Sequence, residues 1–281
     1  MDAQKRPRGR PKSLFKESSA GTMQSLDRAL GVLTAVARLE RSALSDLARE
    51  VEVPTATTHR ILVTLQKHGF VIFDEERQEW MIGIEAYRTG ASFLHRNNVL
   101  EIGRPILRRL MQDSGETANL AVPDGAEVVF VGQVETQNPI RAFFPPGART
   151  PMYASGTGKA ILAAMSDESL GKALGATKLI PFTENTCLPG SGLQRDLAKT
   201  RARGWSHDHE ERYEGMSCIG AAIFNDRGEP CAGISVSGPT VRFCSTRAPE
   251  LAELVLTAAR EITHLSGGRA PELSARHPGN P

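Results

Sequence analysis

Apolar positions change their period several times along the chain, and each change marks an element. Leu26, Leu30, Leu33 and Ala37 recur at helical spacing, then Leu44, Leu47, Ala48 and Val51, then Ile61, Leu62 and Leu65. Pro54 stands where the third helix should begin, since its missing N–H is one of the unpaired donors there, and Gly69 follows its end. Two apolar runs, residues 70–73 and 80–82, bracket a charged tip and predict a hairpin. Three helices and a hairpin make a winged helix-turn-helix. Residues 84–113 return to helical spacing through Val99, Ile102, Ile106 and Leu110, with Gly103, Pro105 and Asn97-Asn98 predicting breaks. This segment is expected to be a linker. From Glu116 onward the pattern becomes short β-rich runs, 117–122, 128–134 and 140–144, then helices over 156–165 and 193–203, strands over 218–224 and 231–236, and a closing helix over 249–265. Strands, helices and strands in that order predict an α+β fold. The expected organisation is a disordered arm (1–22), the winged helix-turn-helix (23–83), a helical linker (84–114), a sensor domain (115–265) and a disordered tail (266–281).

Composition adds bounds to this picture. A chain of 281 residues, 40% of them hydrophobic, can fill two cores. It has no apolar run of 18 residues and no apolar signal segment near its start, so a cytoplasmic protein without a membrane partner is expected. Four cysteines without a CxxC pair argue against structural zinc or a secreted disulfide framework. The net charge of +2 is unevenly spread: six lysines and arginines against two acids in the first 20 residues make that arm +4 and the remainder −2. Within the arm, Arg8-Gly9-Arg10-Pro11 resembles the AT-hook, in which two arginines enter a narrow, negative minor groove. A solubilising tail has the same composition. The hairpin tip, residues 74–79, is net −3 and should stand off the phosphates.

The third helix carries the clearest candidate chemistry. Thr55, Thr57, Thr58, His59 and Arg60 fill its first two turns, where short hydroxyls can reach base edges and Arg can meet phosphate. The partner implied is double-stranded DNA, although a helical hairpin of another domain would look similar. One such helix contacts few bases, so a homodimer or homotetramer on a palindromic operator is expected.

Several separated blocks resemble the IclR family of bacterial transcriptional regulators over about residues 23–265. Val53-Pro54-Thr55-Ala56-Thr57-Thr58-His59-Arg60 is similar to the family's Leu-Pro-Lys-Ser-Thr-Val-His-Arg, with Ala56 for Ser and Thr58 for Val. Residues 151–160, 214–224 and 232–239 resemble its small-residue turn into a helix and its pocket strands. The resemblance implies a GAF-like effector-binding domain, a small organic acid as effector, and no catalysis or cofactor. Gly156, Thr157, Asp208, Cys218, Ser235 and Ser237 fall where glyoxylate- and pyruvate-binding members have pocket residues. Their chemistry suits a 2-oxo acid such as glyoxylate. Amides opening a helix seat a carboxylate, serines two apart on a strand share a face, and Asp208 would accept from an α-hydroxyl or hydrated aldehyde. Phe143 and Phe144 could line a larger cavity. Each residue also has a structural use: strand serines in networks, Cys218 as core filler, Asp208 as a turn cap. Other classes fit less of the sequence. His207 and His209 lack further metal ligands, and Gly158-Lys159 lacks the rest of a phosphate loop. A cysteine-dependent hydrolase at Cys218 lacks a nucleophile elbow, and a DNA-binding thiol redox sensor would need an exposed, acidic thiol.

Overall fold

The computed structural model describes residues 23–96, 99–175, 178–190 and 192–271. Arg8 and Arg10, the Asn97-Asn98 step and residues 272–281 lie outside them. The chain divides into two compact units, one ending at His95 and the other beginning at Arg96.

In the first unit, α1 (Gln24–Leu39), α2 (Leu44–Glu50) and α3 (Thr55–Lys67) pack with the hairpin β1 (Val71–Asp74) and β2 (Glu79–Ile82), and α4 (Ile84–Arg96) follows. Val32, Ala35, Val36, Leu47, Leu62, Val71 and Trp80 form the core. The apolar stripe expected on α1 is therefore only partly the core face, because Leu26 and Leu30 are exposed. Trp80 exchanges two backbone hydrogen bonds with Ser42, which ties the wing to the α1–α2 connection. At the wing tip, Asp74 Oδ1 accepts from the amides of Glu76 and Arg77 and fixes the turn.

The second unit is one antiparallel sheet between helices. α5 (Val99–Ser114) leads to β3 (Thr117–Asp124), β4 (Glu127–Val134) and β5 (Arg149–Pro151), then α6 (Gly156–Ala164), α7 (Asp167–Gly175) and α8 (Leu193–Arg203). β6 (Ser206–His209), β7 (Met216–Phe224), β8 (Pro230–Pro239) and α9 (Arg247–Leu265) complete it, with strand order β5-β4-β3-β8-β7-β6. Successive strand residues alternate faces, so Leu120, Ala221 and Ile234 lie on one side while Asn119, Gly220 and Ser235 lie on the other. The first side meets α5 and α9; the second, unusually polar for a buried surface, meets α6.

Four expectations change. α5 is an integral layer of this unit, burying Leu100, Ile106, Leu107 and Leu110, and does not serve as a free linker. It runs through Gly103 and Pro105 without ending, because burial of its apolar face outweighs the lost backbone hydrogen bond. Residues 140–144 form no strand; β5 lies later, at Arg149–Pro151. The chain beyond 265 begins ordered, with the amides of Gly268 and Arg269 donating to the carbonyls of Thr263 and Asn225.

Candidate functional site

On α3 the surface follows the helical period. Thr55, Ala56, His59, Arg60, Val63, Gln66 and Lys67 are exposed and Thr57 is half-buried. Thr58 is not part of this face: its side chain is fully buried beside Leu62, and its hydroxyl donates to the carbonyls of Val53 and Pro54 at 3.3 Å. The expected groove contact at Thr58 is corrected accordingly, and its place is that of the aliphatic residue in the family pattern. Sequence reasoning missed Val63 and Lys67, which continue the exposed face one and two turns beyond Arg60. Continuing the spacing of three and four from Ala56 would have found them.

The second unit carries a cleft enclosing about 420 Å³, including its open mouth. α6 supplies its floor. Ser155 caps that helix, its Oγ accepting from the Gly158 amide at 3.1 Å while its carbonyl accepts from Lys159. Gly156 and Thr157, which open α6, line the cleft, and the Thr157 amide is directed at Cys218 Sγ. The close approach depends on missing side chains. A Cβ on Gly156 would lie 2.6 Å from Cys218 Sγ, and one on Gly220 would lie 2.7 Å from the Gly156 backbone.

Asp208, Cys218 and Ser237 sit side by side on β6, β7 and β8, and all three line the cleft. Ser237 accepts from Asn119 Nδ2 at 3.2 Å, and Asn119 in turn accepts from Gln133. Ser235 is the exception among the expected pocket residues. It is wholly buried one row behind, where its hydroxyl accepts from Thr157 Oγ1 at 2.8 Å, so it holds Thr157 and does not face the cleft. Phe144 lines the cleft, stacked on Phe130 with centroids 4.7 Å apart, whereas Phe143 points to solvent.

Electrostatics refine two roles. Burial, with the nearby Glu211 charge, pushes the Asp208 carboxyl up to about 7. Its Oδ1 accepts from the Glu211 amide at 2.8 Å, so near neutral pH the carboxyl caps a turn and still carries a proton to donate. The expected acceptor is thus in part a donor up to about neutral pH. Burial likewise pushes the Cys218 thiol up to about 11, which removes the thiolate that a hydrolase or a redox sensor at this position would require.

Two charged residues have no site role in the sequence reading, which weighs Lys159 only as part of a phosphate loop. Lys159 is wholly buried, paired with Asp196 at 2.8 Å and with Glu211, and donates to the His207 carbonyl at 2.7 Å. Burial alone would lower its pKa, but the two carboxylates outweigh it and hold the ammonium protonated. This network pins α6, α8 and the turn after β6 together. Arg212, on that same turn, lines the cleft with its guanidinium 3.7 Å from the Phe182 ring centroid. Neither stands in an apolar pattern that sequence spacing could flag. His207 and His209 lie edge to face 5.6 Å apart, and burial holds His207 down at about 4. Among the described residues no third ligand joins them in a metal site, and no helix is long and apolar enough to cross a membrane.

A winged helix-turn-helix followed by a cleft-bearing α+β unit defines a ligand-responsive DNA-binding regulator. Family models agree over both parts: the IclR helix-turn-helix domain matches residues 25–75, and the bacterial transcriptional regulator IclR C-terminal domain matches residues 91–264. The chain is 44% identical to the HTH-type transcriptional regulator BhcR of Paracoccus denitrificans, over 96% of this chain and 95% of that one. It is 42% identical to the transcriptional repressor IclR of Escherichia coli, over 93% and 96%. The crystal structure of Thermotoga maritima IclR superposes with a TM-score of 0.73 at 30% identity, covering 88% of this chain and all of that one. The chain belongs to the IclR family of bacterial transcriptional regulators. It is a DNA-binding regulator with an effector-binding domain, and not an enzyme.

Proposed function

We propose that this protein binds a palindromic operator as a homodimer or homotetramer in the cytoplasm, and that a short 2-oxo or 2-hydroxy acid, glyoxylate foremost, sets its affinity for that operator. The observation that carries the reading is the opening of α6 into the cleft. Two amides at a helix N-terminus, Gly156 and Thr157, offer a seat for a carboxylate, with Ser237 beside them and a proton-bearing Asp208 to donate to the effector's second oxygen. Thr157 is itself oriented by Ser235. The stacked Phe130 and Phe144 close one wall and favour a small ligand. On α3, Thr55, Thr57, His59 and Arg60 are the proposed groove contacts, with the arm arginines Arg8 and Arg10 adding minor-groove contact. Exposed Leu26 and Leu30 on α1 leave an apolar face that pairing of two chains would cover.

The test is operator binding by fluorescence anisotropy, with and without two- to four-carbon oxo and hydroxy acids. At least one acid should shift operator affinity several-fold, because a ligand moves an equilibrium only by its differential affinity for two states. Asp208→Ala should bind operator normally and lose the shift. Operator affinity indifferent to every acid would overturn the reading.

A further inference from the structure

Arg212 is held on its turn by ring stacking and not by an ion pair. Lys159 is paired with Asp196 and Glu211, and Arg242 makes a two-point pair with Glu116 at 2.6 and 2.7 Å, whereas Arg203, stacked on Trp205, has no carboxylate and donates its Nε to the Trp205 carbonyl at 2.6 Å. No carboxylate lies within ion-pair distance of Arg212 among the described residues, and its Nε is buried with no hydrogen-bond partner. Such a donor is costly to leave unmet. Its neighbour Glu211 is already committed to Lys159.

The turn that carries Arg212 is built with care for position. Glu210 takes a left-handed φ of 59°, a conformation that non-glycine residues adopt only where the surroundings impose it. Thr183 Oγ1 donates to the Glu210 carbonyl at 2.6 Å, and Thr186 Oγ1 donates to the Glu211 carbonyl at 2.7 Å. Phe182 then presents its ring to the guanidinium, and Tyr213 flanks it with its centroid 5.3 Å away. Phe182 is in turn stacked on Tyr153, whose hydroxyl is anchored to the Ile180 backbone. A stacked guanidinium keeps its edge free for planar, two-point pairing with a carboxylate.

Of the residues lining the cleft, only Asp208 and Arg212 are ionisable at ordinary pH. We propose that Arg212 is the charge-selecting residue of the effector cleft: its guanidinium pairs with the anionic group of the ligand and makes the cleft discriminate an acid from its neutral isostere. This rests on the cleft being the effector site. The helix amides and Ser237 carry only partial charge and can also hydrogen-bond a neutral carbonyl, so they orient the ligand and favour an anion only weakly. Arg212 supplies the full positive charge that they lack.

The experiment is calorimetry on the full chain, with glyoxylate, pyruvate and lactate as probes, each paired with its neutral amide, for the unaltered protein, Arg212→Gln and Arg212→Lys. In the unaltered protein at least one acid should bind tenfold or more tighter than its amide. Arg212→Gln should collapse that ratio towards one by weakening the acid and leaving the amide unchanged, and Arg212→Lys should restore part of it. Unchanged melting temperature and unchanged operator affinity without ligand establish that the variants are folded; if Arg212→Gln melts early, Arg212→Lys decides by its acid-to-amide ratio. Acid binding that Arg212→Gln leaves intact overturns the role of Arg212 while the effector cleft stands. Failure of every acid to bind the unaltered protein overturns both.

Discussion

At the scale of single residues, environment changed what side-chain type had implied. Thr58 stands in a run of hydroxyls that suits a groove, yet the turn of the helix carries it inward, where its hydroxyl donates to the carbonyls of Val53 and Pro54. Ser235 is a strand serine on the side of the sheet that meets α6, yet it is spent on orienting Thr157. Asp208 is the residue whose titration can be followed. Its carboxyl is held near 7 in the folded chain against an ordinary 3.8. Below about 3.8 it is protonated folded or unfolded and has no effect on stability. Between about 3.8 and 7 only the unfolded chain releases the proton, so stability falls as pH rises through that window and levels off above it. Asp208→Asn should therefore raise the melting temperature, with a gain that grows from pH 4 to pH 7.5. Effector affinity should also fall as pH rises past 7 in the unaltered protein, where the donated proton is lost, and stay flat in Asp208→Asn. A melting difference independent of pH would show that Asp208 ionises freely in the folded state.

Elements are where the sequence pattern served best and where its failures were most instructive. α3, β7 and α9 lie where apolar periodicity put them, since each buries a regular stripe or alternation. β6, by contrast, is the four residues Ser-His-Asp-His, which carry no strand pattern; its pairing with β7 makes it a strand. The same holds for the α6–β7 contact. Gly156 reads as the start of a helix and Gly220 as a residue of a strand, and in the fold the two let that helix start lie directly on the strand. Gly220→Ala would place a methyl 2.7 Å from backbone that cannot yield as a side chain could. It should destabilise the second unit by about 1–3 kcal/mol and tilt the start of α6 away from the cleft. Urea unfolding reads the first effect and calorimetry with the responsive acid reads the second.

At the scale of the whole molecule, charge and connectivity matter more than any one contact. The arm of the first 20 residues is net +4 beside a remainder of −2, and the wing tip is net −3. Binding to a polyanion should therefore lean on the arm for its non-specific component. Removing residues 1–20 should weaken operator binding and flatten the dependence of its affinity on salt, because fewer condensed ions are released. An unchanged salt slope would assign the arm to solubility alone. Effector response belongs to this scale as well. The cleft lies in one unit and the helix-turn-helix in the other, so a ligand in the cleft can act on DNA binding only through a change that both units share.

What the sequence determined by itself was the class of elements and a set of candidate residues: a winged helix-turn-helix from three apolar periods and a hairpin, an α+β second unit, and five residues that line one cleft. These are legible because burial imposes short-range periods, and because Gly156, Asp208, Cys218 and Ser237 stand in blocks of fixed spacing. The tertiary structure alone decided which candidates share a surface. It removed Thr58 from the DNA face, placed Ser235 behind Thr157, kept the Asp208 carboxyl protonated near neutrality, and brought Arg212 to the cleft. The last three outcomes depend on neighbours tens of residues distant in the chain, Phe182 under Arg212, Lys159 against Glu211 and Thr157 against Ser235, whereas helical spacing from Leu62 already turns Thr58 inward. Burial and electrostatics act through space, and no local pattern of polar and apolar positions encodes them.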